Sequence, residues 1–205
     1  MTAPRTRVVR VDPATPDRTA LGEAALVLAR GGLVAFPTET FYGLGAGALD
    51  RAAIRRIFGL KGRPETKPLL LLVDSIGMAE AVGEVGARAR ALMVRHWPGA
   101  LTLVLRARPG VPIEVTAGTR TVGVRLSPHP VALGLVRALR APVTAPSANP
   151  SGLEPPTTAS AVLAYFGDAI DLVLDGGGTA GGEPSTVLDT TVDPPRVLRQ
   201  GAVTV

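Results

Sequence analysis

The fold is most restricted by a set of short, unbroken apolar runs separated by stretches with helical periodicity. Leu33-Val-Ala-Phe and Leu69-Leu-Leu-Leu-Val show no polar alternation. Runs of that length bounded by turn residues read as buried strands. Leu101-Thr-Leu-Val-Leu and Val122-Gly-Val-Arg-Leu read as two more. Between them the spacing is helical. From Thr19 a helix places Leu21, Ala25 and Leu28 on one face, and Gly31-Gly32 stops it. Asp50 can cap a helix that turns Ile54, Ile57 and Phe58 inward and Arg51, Arg55 and Arg56 outward. Residues 75–96 read as one helix ending at Trp97-Pro-Gly. Further helices are expected from Pro130 to Leu139 and from Thr158 to Phe166. Residues 142–145, Asp171–Asp175, Thr186–Asp189 and Arg196–Arg199 complete the strands. Strands and helices interleave without strict βαβ alternation. That predicts a mixed sheet in a single α/β (α+β) domain over residues 19–205, behind a loose polar lead-in at residues 1–18.

The hydrophobic fraction of 46% can fill one core, and with 3% aromatics that core must be aliphatic. Gly and Pro are abundant, at 24 and 19, which signals many turns. Cys is 0, so disulfides, thiolate catalysis and Cys-ligated zinc are excluded. Two histidines, His96 and His129, are too few for a histidine-rich metal site. The net charge of +5 and a pI near 10.6 favour anionic partners such as nucleotides or RNA. The N-terminus has no apolar leader segment and no run is long enough to span a bilayer. A cytoplasmic protein with no membrane partner is the expectation.

Basic residues are written almost wholly as arginine, yet Lys61 and Lys67 survive in Gly59-Leu-Lys-Gly-Arg-Pro-Glu-Thr-Lys-Pro. A lysine kept against that bias suggests a site that needs a compact ammonium. Just upstream, Phe36-Pro-Thr-Glu-Thr-Phe-Tyr-Gly-Leu-Gly reads as a hydroxyl-rich turn. Small hydroxyl and amide residues recur at strand ends: Thr38 and Thr40, Ser147 and Asn149, Ser185 and Thr186. Such positions can line one crevice at a sheet edge. Arg125 lies inside an apolar strand and needs an anionic partner, from the protein or from a ligand. Arg199 sits similarly at the end of the last strand. Gly176-Gly-Gly-Thr-Ala-Gly matches G-x-G-x-x-G in letters, but Gly182-Glu-Pro-Ser-Thr-Val follows where a helix should begin, so it reads as a loop beside a site. Ser147 lacks the G-x-S-x-G context of a nucleophilic serine, and His129 between two prolines reads as a turn residue. The residues alone point to a small-molecule site for an anionic ligand.

Seven stretches in order resemble the YrdC/Sua5 family of threonylcarbamoyl-AMP synthases. They are Pro37-Thr-Glu-Thr-Phe-Tyr-Gly-Leu-Gly, Lys61-Gly-Arg-Pro, Trp97-Pro-Gly-Ala-Leu-Thr-Leu, Val122-Gly-Val-Arg-Leu, Pro146-Ser-Ala-Asn-Pro-Ser-Gly, Pro184-Ser-Thr-Val-Leu-Asp and Val197-Leu-Arg-Gln-Gly. The resemblance runs from about residue 20 to the C-terminus and looks like the short, single-domain form. It implies a twisted mixed sheet folded around a deep basic cavity. It also implies a reaction: ATP, bicarbonate and L-threonine give threonylcarbamoyl-AMP and pyrophosphate. The product would serve the tRNA threonylcarbamoyltransferase machinery that modifies adenosine 37, and a weak tRNA or double-stranded RNA contact would fit. Mg²⁺ is expected with ATP, held by phosphates and water, with no protein-ligated metal.

The family's K-x-R pair falls on Lys61 and Arg63, implied as catalytic cations and ATP ligands, with Thr121, Ser147, Asn149 and Arg199 as further ATP contacts. Thr38, Arg125, Ala145 and Ser185 fall at threonine-contact positions, Arg125 being the natural clamp for the carboxylate and Ala145 contributing backbone only. Both cations of the pair are expected on an exposed loop after a helix. Three positions depart from the pattern: Leu72 where longer members carry His, Lys67 where Asn is common, and Pro155 where Ser is common. Two other readings compete. One is an RNA-binding module in which Arg51, Arg55, Arg56, Lys61 and Arg63 track phosphates. The other is a YciO-like paralogue with altered chemistry.

Overall fold

The computed structural model describes residues 5–64 and 66–205, so the first four residues of the lead-in lie outside the described residues. Residues 7–10 are not loose. They form strand β1 (Arg7–Arg10), which pairs in parallel with a strand more than 160 residues away. Flanking arginines and exposure hide it in the sequence, because an edge strand with exposed residues carries little hydrophobic signal. Helix α1 (Arg18–Ala29) starts where the side chain of Asp17 accepts from the Ala20 N–H, and it buries Leu21, Ala25 and Leu28 as its spacing predicts.

Strand β2 (Val34–Pro37) turns at Thr38–Phe41 into β3 (Tyr42–Gly45), and the two pair antiparallel. The sequence predicts β2 but reads the stretch that holds β3 as part of a polar turn. Gly43 and Gly45 are poor strand formers, but a Cβ on Gly45 would lie 2.8 Å from the Phe36 ring and 2.9 Å from Val143. Close packing, not propensity, selects glycine there. Helix α2 (Arg51–Lys61) has the predicted Asp50 cap and inward face. Strand β4 (Leu70–Leu72) follows.

The helix expected over residues 75–96 is two helices, α3 (Ile76–Val82) and α4 (Ala87–His96), split by β5 (Gly83–Glu84). Gly83 lies against Leu105, where an added Cβ would come within 2.7 Å. Then come β6 (Leu101–Ala107), a short α5 (Ile113–Thr116), β7 (Thr121–Arg125), α6 (Pro130–Leu139) and β8 (Val143–Thr144). Helix α7 (Ala159–Phe166), β9 (Leu172–Asp175), β10 (Thr186–Asp189) and β11 (Arg196–Arg199) finish the chain.

The strands form a four-stranded sheet, β1-β9-β2-β3, and a larger one, β11-β10-β6-β7-β4-β8. Both mix parallel and antiparallel pairs, as expected. Bridges from Gly43 to Ser147 and from Gly47 to Val143 join them where β3 meets β8. The small sheet is covered on both faces. Val34, Phe36, Leu172 and Leu174 pack under α1 and α6, while Ala35 and Val173 pack under α7. That double burial explains the unbroken apolar runs.

The larger sheet is different. Leu101, Leu103, Leu105, Val122 and Val124 pack into one core with α2, α3 and α4. The alternate residues Thr102, Val104, Thr121, Gly123 and Arg125 face a cavity instead. The period of two in a strand thus separates core from site.

Candidate active site

The cavity has a volume of about 740 Å³, within the usual range for a small-molecule site. Thr38, Arg63, Thr121, Arg125, Ala145, Ser147, Ser185 and Arg199 line it, which brings together eight of the ten residues singled out in the sequence. Lys61 and Asn149 do not line it. They sit directly behind Ser147.

Lys61 is the last residue of α2 and is only 2% exposed, which corrects the exposed-loop expectation. Its Nζ donates to the backbone carbonyls of Ser147 and Asn149. Burial, and secondarily the charge on Arg63, lower its pKa to about 8. An ammonium has three donors, so two carbonyls leave one N–H. Gly62 takes a left-handed conformation at φ 54° and ends the helix, so that Arg63 departs in a new direction. Arg63 donates to the Pro68 carbonyl at 2.8 Å and is held on its own loop. Asn149 donates to the carbonyls of Pro150 and Leu153, and its buried Oδ1 has no partner among the described residues.

Arg125 is 4% exposed, at the cavity end of β7. Its Nη1 lies 3.3 Å from Oε1 of Glu39, a contact too poorly aligned to count as a hydrogen bond. Its Nε is buried with no partner among the described residues. Burial pushes its pKa down, Glu39 opposes that and Arg199 adds to it. A guanidinium stays charged through such shifts. So the anion that the lone strand arginine requires is supplied in part by the protein, yet one donor remains unmatched.

Arg199 donates through Nε and Nη2 to the Ser185 carbonyl, at 3.1 and 2.8 Å, and through Nη2 to the Ser185 hydroxyl at 3.1 Å. That hydroxyl also lies 3.0 Å from Thr102 Oγ1. Thr38 Oγ1 donates to the Phe41 carbonyl at 2.7 Å and closes the β2–β3 turn. The Ala145 N–H is taken by the Leu70 carbonyl at 2.9 Å, leaving its own carbonyl for any backbone contact. Thr121 Oγ1 pairs with Thr119 Oγ1 at 2.8 Å.

The Gly176–Gly181 stretch opens no helix and runs as a loop into β10, which excludes a dinucleotide fold. It is pinned rather than free. Tyr42 Oη donates to the Gly177 carbonyl at 2.7 Å, and the Gly181 N–H donates to the Thr40 carbonyl at 2.8 Å. His129 caps α6, its Nδ1 accepting from the Val131 N–H, as a turn residue should. Leu72, at the family's His position, is a core residue. Pro155 lines the cavity with no hydroxyl to offer.

The sequence reading missed Tyr42, Thr102, Thr119, Glu154 and Leu198 as lining residues. Thr102 was findable, because it alternates with core residues along its strand. Glu154 and Leu198 had no such signal.

The family model Sua5_yciO_yrdC, described as "Telomere recombination", matches residues 26–201. A threonylcarbamoyl-AMP synthase from Pyrococcus abyssi is 46% identical over 181 residues, covering 88% of this chain and 53% of its own length. The chain spans about half the length of the first curated relatives it matches. The crystal structure of P. abyssi Sua5 complexed with L-threonine superimposes with a TM-score of 0.92 at 44% identity, covering 96% of this chain and 58% of that one. The crystal structure of E. coli YciO gives 0.88 at 27% identity, covering 96% of both chains. The twisted two-part sheet, the cavity between its halves and the matched residues agree: this chain belongs to the Sua5/YciO/YrdC family.

Proposed function

We propose that this chain is an L-threonylcarbamoyladenylate synthase. The observation that carries this reading is the buried Arg125, a lining residue of a cavity that also holds Arg63 and Arg199. One cavity thus offers a clamp for a carboxylate and two cations for a polyphosphate. The names and the threonine complex of similar proteins support the assignment.

The threonine amine attacks the carbon of bicarbonate, forming a C–N bond and releasing water. A carbamate oxygen then attacks the α-phosphorus of ATP, and pyrophosphate leaves. No side chain in the cavity is an obvious base. The chain's contribution is orientation and charge. Arg63 and Arg199 neutralise phosphate oxygens as charge moves to the leaving group, while Lys61 holds the Ser147 turn from behind. Ser147 and Thr121 present hydroxyls and Asn149 fixes the loop behind them. Thr38, Ser185 and the Ala145 carbonyl surround the amino acid. Mg²⁺ enters with ATP, held by phosphates and water. Among the described residues the cavity lining supplies a single carboxylate, Glu154, which is too few to hold an ion alone. The product is passed to a tRNA threonylcarbamoyltransferase in the cytoplasm.

The test is pyrophosphate release with each substrate omitted in turn. The expected result is release only when ATP, L-threonine and bicarbonate are all present. Equal release with serine, or with no amino acid, would overturn the substrate assignment. The RNA-module reading loses support from the structure. Arg55 and Arg51 pair with Glu114, Arg56 pairs with Asp171, and Lys61 is buried.

A further inference from the structure

Glu39 lies in the turn between β2 and β3, and its side chain is 15% exposed. It is not part of the cavity wall formed by its neighbours Thr38 and Thr40. Its carboxylate reaches the other way, to Arg125 and Ser127. Ser127 Oγ donates to Oε2, which fixes the plane of the carboxylate, and Oε1 then faces Nη1 of Arg125 at 3.3 Å. Ser127 is itself held, because its Oγ accepts from the His129 N–H at 3.2 Å. Arg125 and Ser127 are two apart on an extended segment, so they project to one side. The Glu39 carboxylate spans the gap between them.

The consequence lies in the donors left over. A guanidinium has five N–H groups in a rigid fork. Glu39 engages only the Nη1 corner, and with imperfect alignment. Among the described residues nothing hydrogen-bonds to the Arg125 guanidinium; its Nε is sealed from the cavity, so the edge that this lining residue can present is the Nη edge. A buried arginine whose only job was to pair with Glu39 would be expected to present two donors to two oxygens. Here Glu39 supplies the compensating charge that lets a guanidinium be buried at all, and leaves the other edge of the fork free.

We propose that Glu39 is the positioning residue for Arg125, holding the guanidinium from behind so that its unmatched edge meets the α-carboxylate of the amino-acid substrate. The inference rests on the threonine reading above and deepens it. Glu39 touches no reacting atom, and its effect is on amino-acid binding, not on phosphate chemistry. Loss of its charge leaves Arg125 uncompensated in the core and free to rotate toward another anion, including the ATP phosphates.

The experiment compares the native chain with Glu39→Gln, which keeps shape and removes charge. Binding of L-threonine is measured by calorimetry, and KM for L-threonine and for ATP by pyrophosphate release. The expected result is a loss of about tenfold or more in threonine affinity and KM, with ATP KM within about twofold. The double variant E39Q/R125K is expected to lose less than the product of the single effects, because the two act as one unit. If Glu39→Gln fails to fold, Ser127→Ala serves instead. It frees the carboxylate without changing charge and should raise threonine KM in the same direction by a smaller factor. Native threonine affinity in a folded Glu39→Gln or Ser127→Ala variant would overturn the inference, as would equal losses for both substrates. If the native chain neither binds nor uses L-threonine, the functional reading falls and the inference with it. That outcome is separate, since it is read on the native protein alone.

Discussion

Lys61 shows how a single position can be both structural and chemical. Its ammonium is buried and bonded to two carbonyls of the turn that carries Ser147. Lys61→Ala should therefore cost stability, by about 2–4 kcal/mol, because two charged hydrogen bonds vanish and two carbonyls lose a partner. A thermal melt checks this, and an unchanged melt would contradict the burial. The sign with pH is also set. The folded pKa of about 8 lies below an unfolded value of about 10.4. The unfolded chain binds more protons between those values, so native stability should rise as pH goes from about 8 to about 10.4. Below pH 8 the penalty is full and constant. Tyr42, raised to about 12 mainly by burial, acts oppositely above pH 10. Denaturation of the native chain against Lys61→Met at each pH cancels that effect, and the native rise should disappear in the variant. Arg125→Lys should raise the threonine requirement more than the ATP requirement, by about 1.5–3 kcal/mol, because a point ammonium cannot face both Glu39 and a carboxylate. Parallel substrate titrations decide it. At this scale the sequence told that Lys61 and Arg125 were special, through arginine bias and an apolar strand. It could not tell that Lys61 was buried or that Glu39 stood behind Arg125, since both depend on contacts 86 residues apart or more.

The elements that carry the site are set by close backbone approach as much as by pattern. Gly201 follows β11, where an added Cβ would lie 2.1 Å from the Pro184 carbonyl oxygen and 2.8 Å from the Thr186 nitrogen. Both are backbone atoms of the segment that carries Ser185. Gly201→Ala should cost about 3 kcal/mol or more and disturb the Ser185–Arg199 contact, so activity should fall with the melt. Gly134 in α6 is a contrast. Its Cβ would meet only the Leu21 side chain, at 2.6 Å from Cδ1. Gly134→Ala gains helix propensity while Leu21 repacks, and the net change should be within about 1–2 kcal/mol. Similar losses in both variants would contradict this distinction between backbone and side-chain neighbours. The strongly periodic elements were legible: α1, α2, α6 and α7 fall where their caps and apolar faces put them. The misses share one cause. β1 is an exposed edge, β3 is half glycine, and β5 is two residues that break a helix. Strands β1 and β5 owe their state to partners distant in sequence, and β3 to close packing against Phe36 and Val143.

For the whole molecule, the mixed sheet separates two tasks. The smaller sheet is sealed on both faces and the larger one is sealed on one, leaving a polar face to bind. The alternation of Thr102, Thr121 and Arg125 with core residues made that division readable, whereas the meeting of β3 with β8 that shapes the cavity was not. Among the described residues, no helix is long and apolar enough to cross a membrane. In the proposed reaction this one cavity joins threonine, bicarbonate and ATP. Mass spectrometry of a reaction containing ¹³C-bicarbonate tests it most directly. The predicted result is a threonylcarbamoyl-AMP ion that carries the labelled carbon, formed in step with pyrophosphate. Pyrophosphate without that ion, or the ion without the label, would contradict the claim.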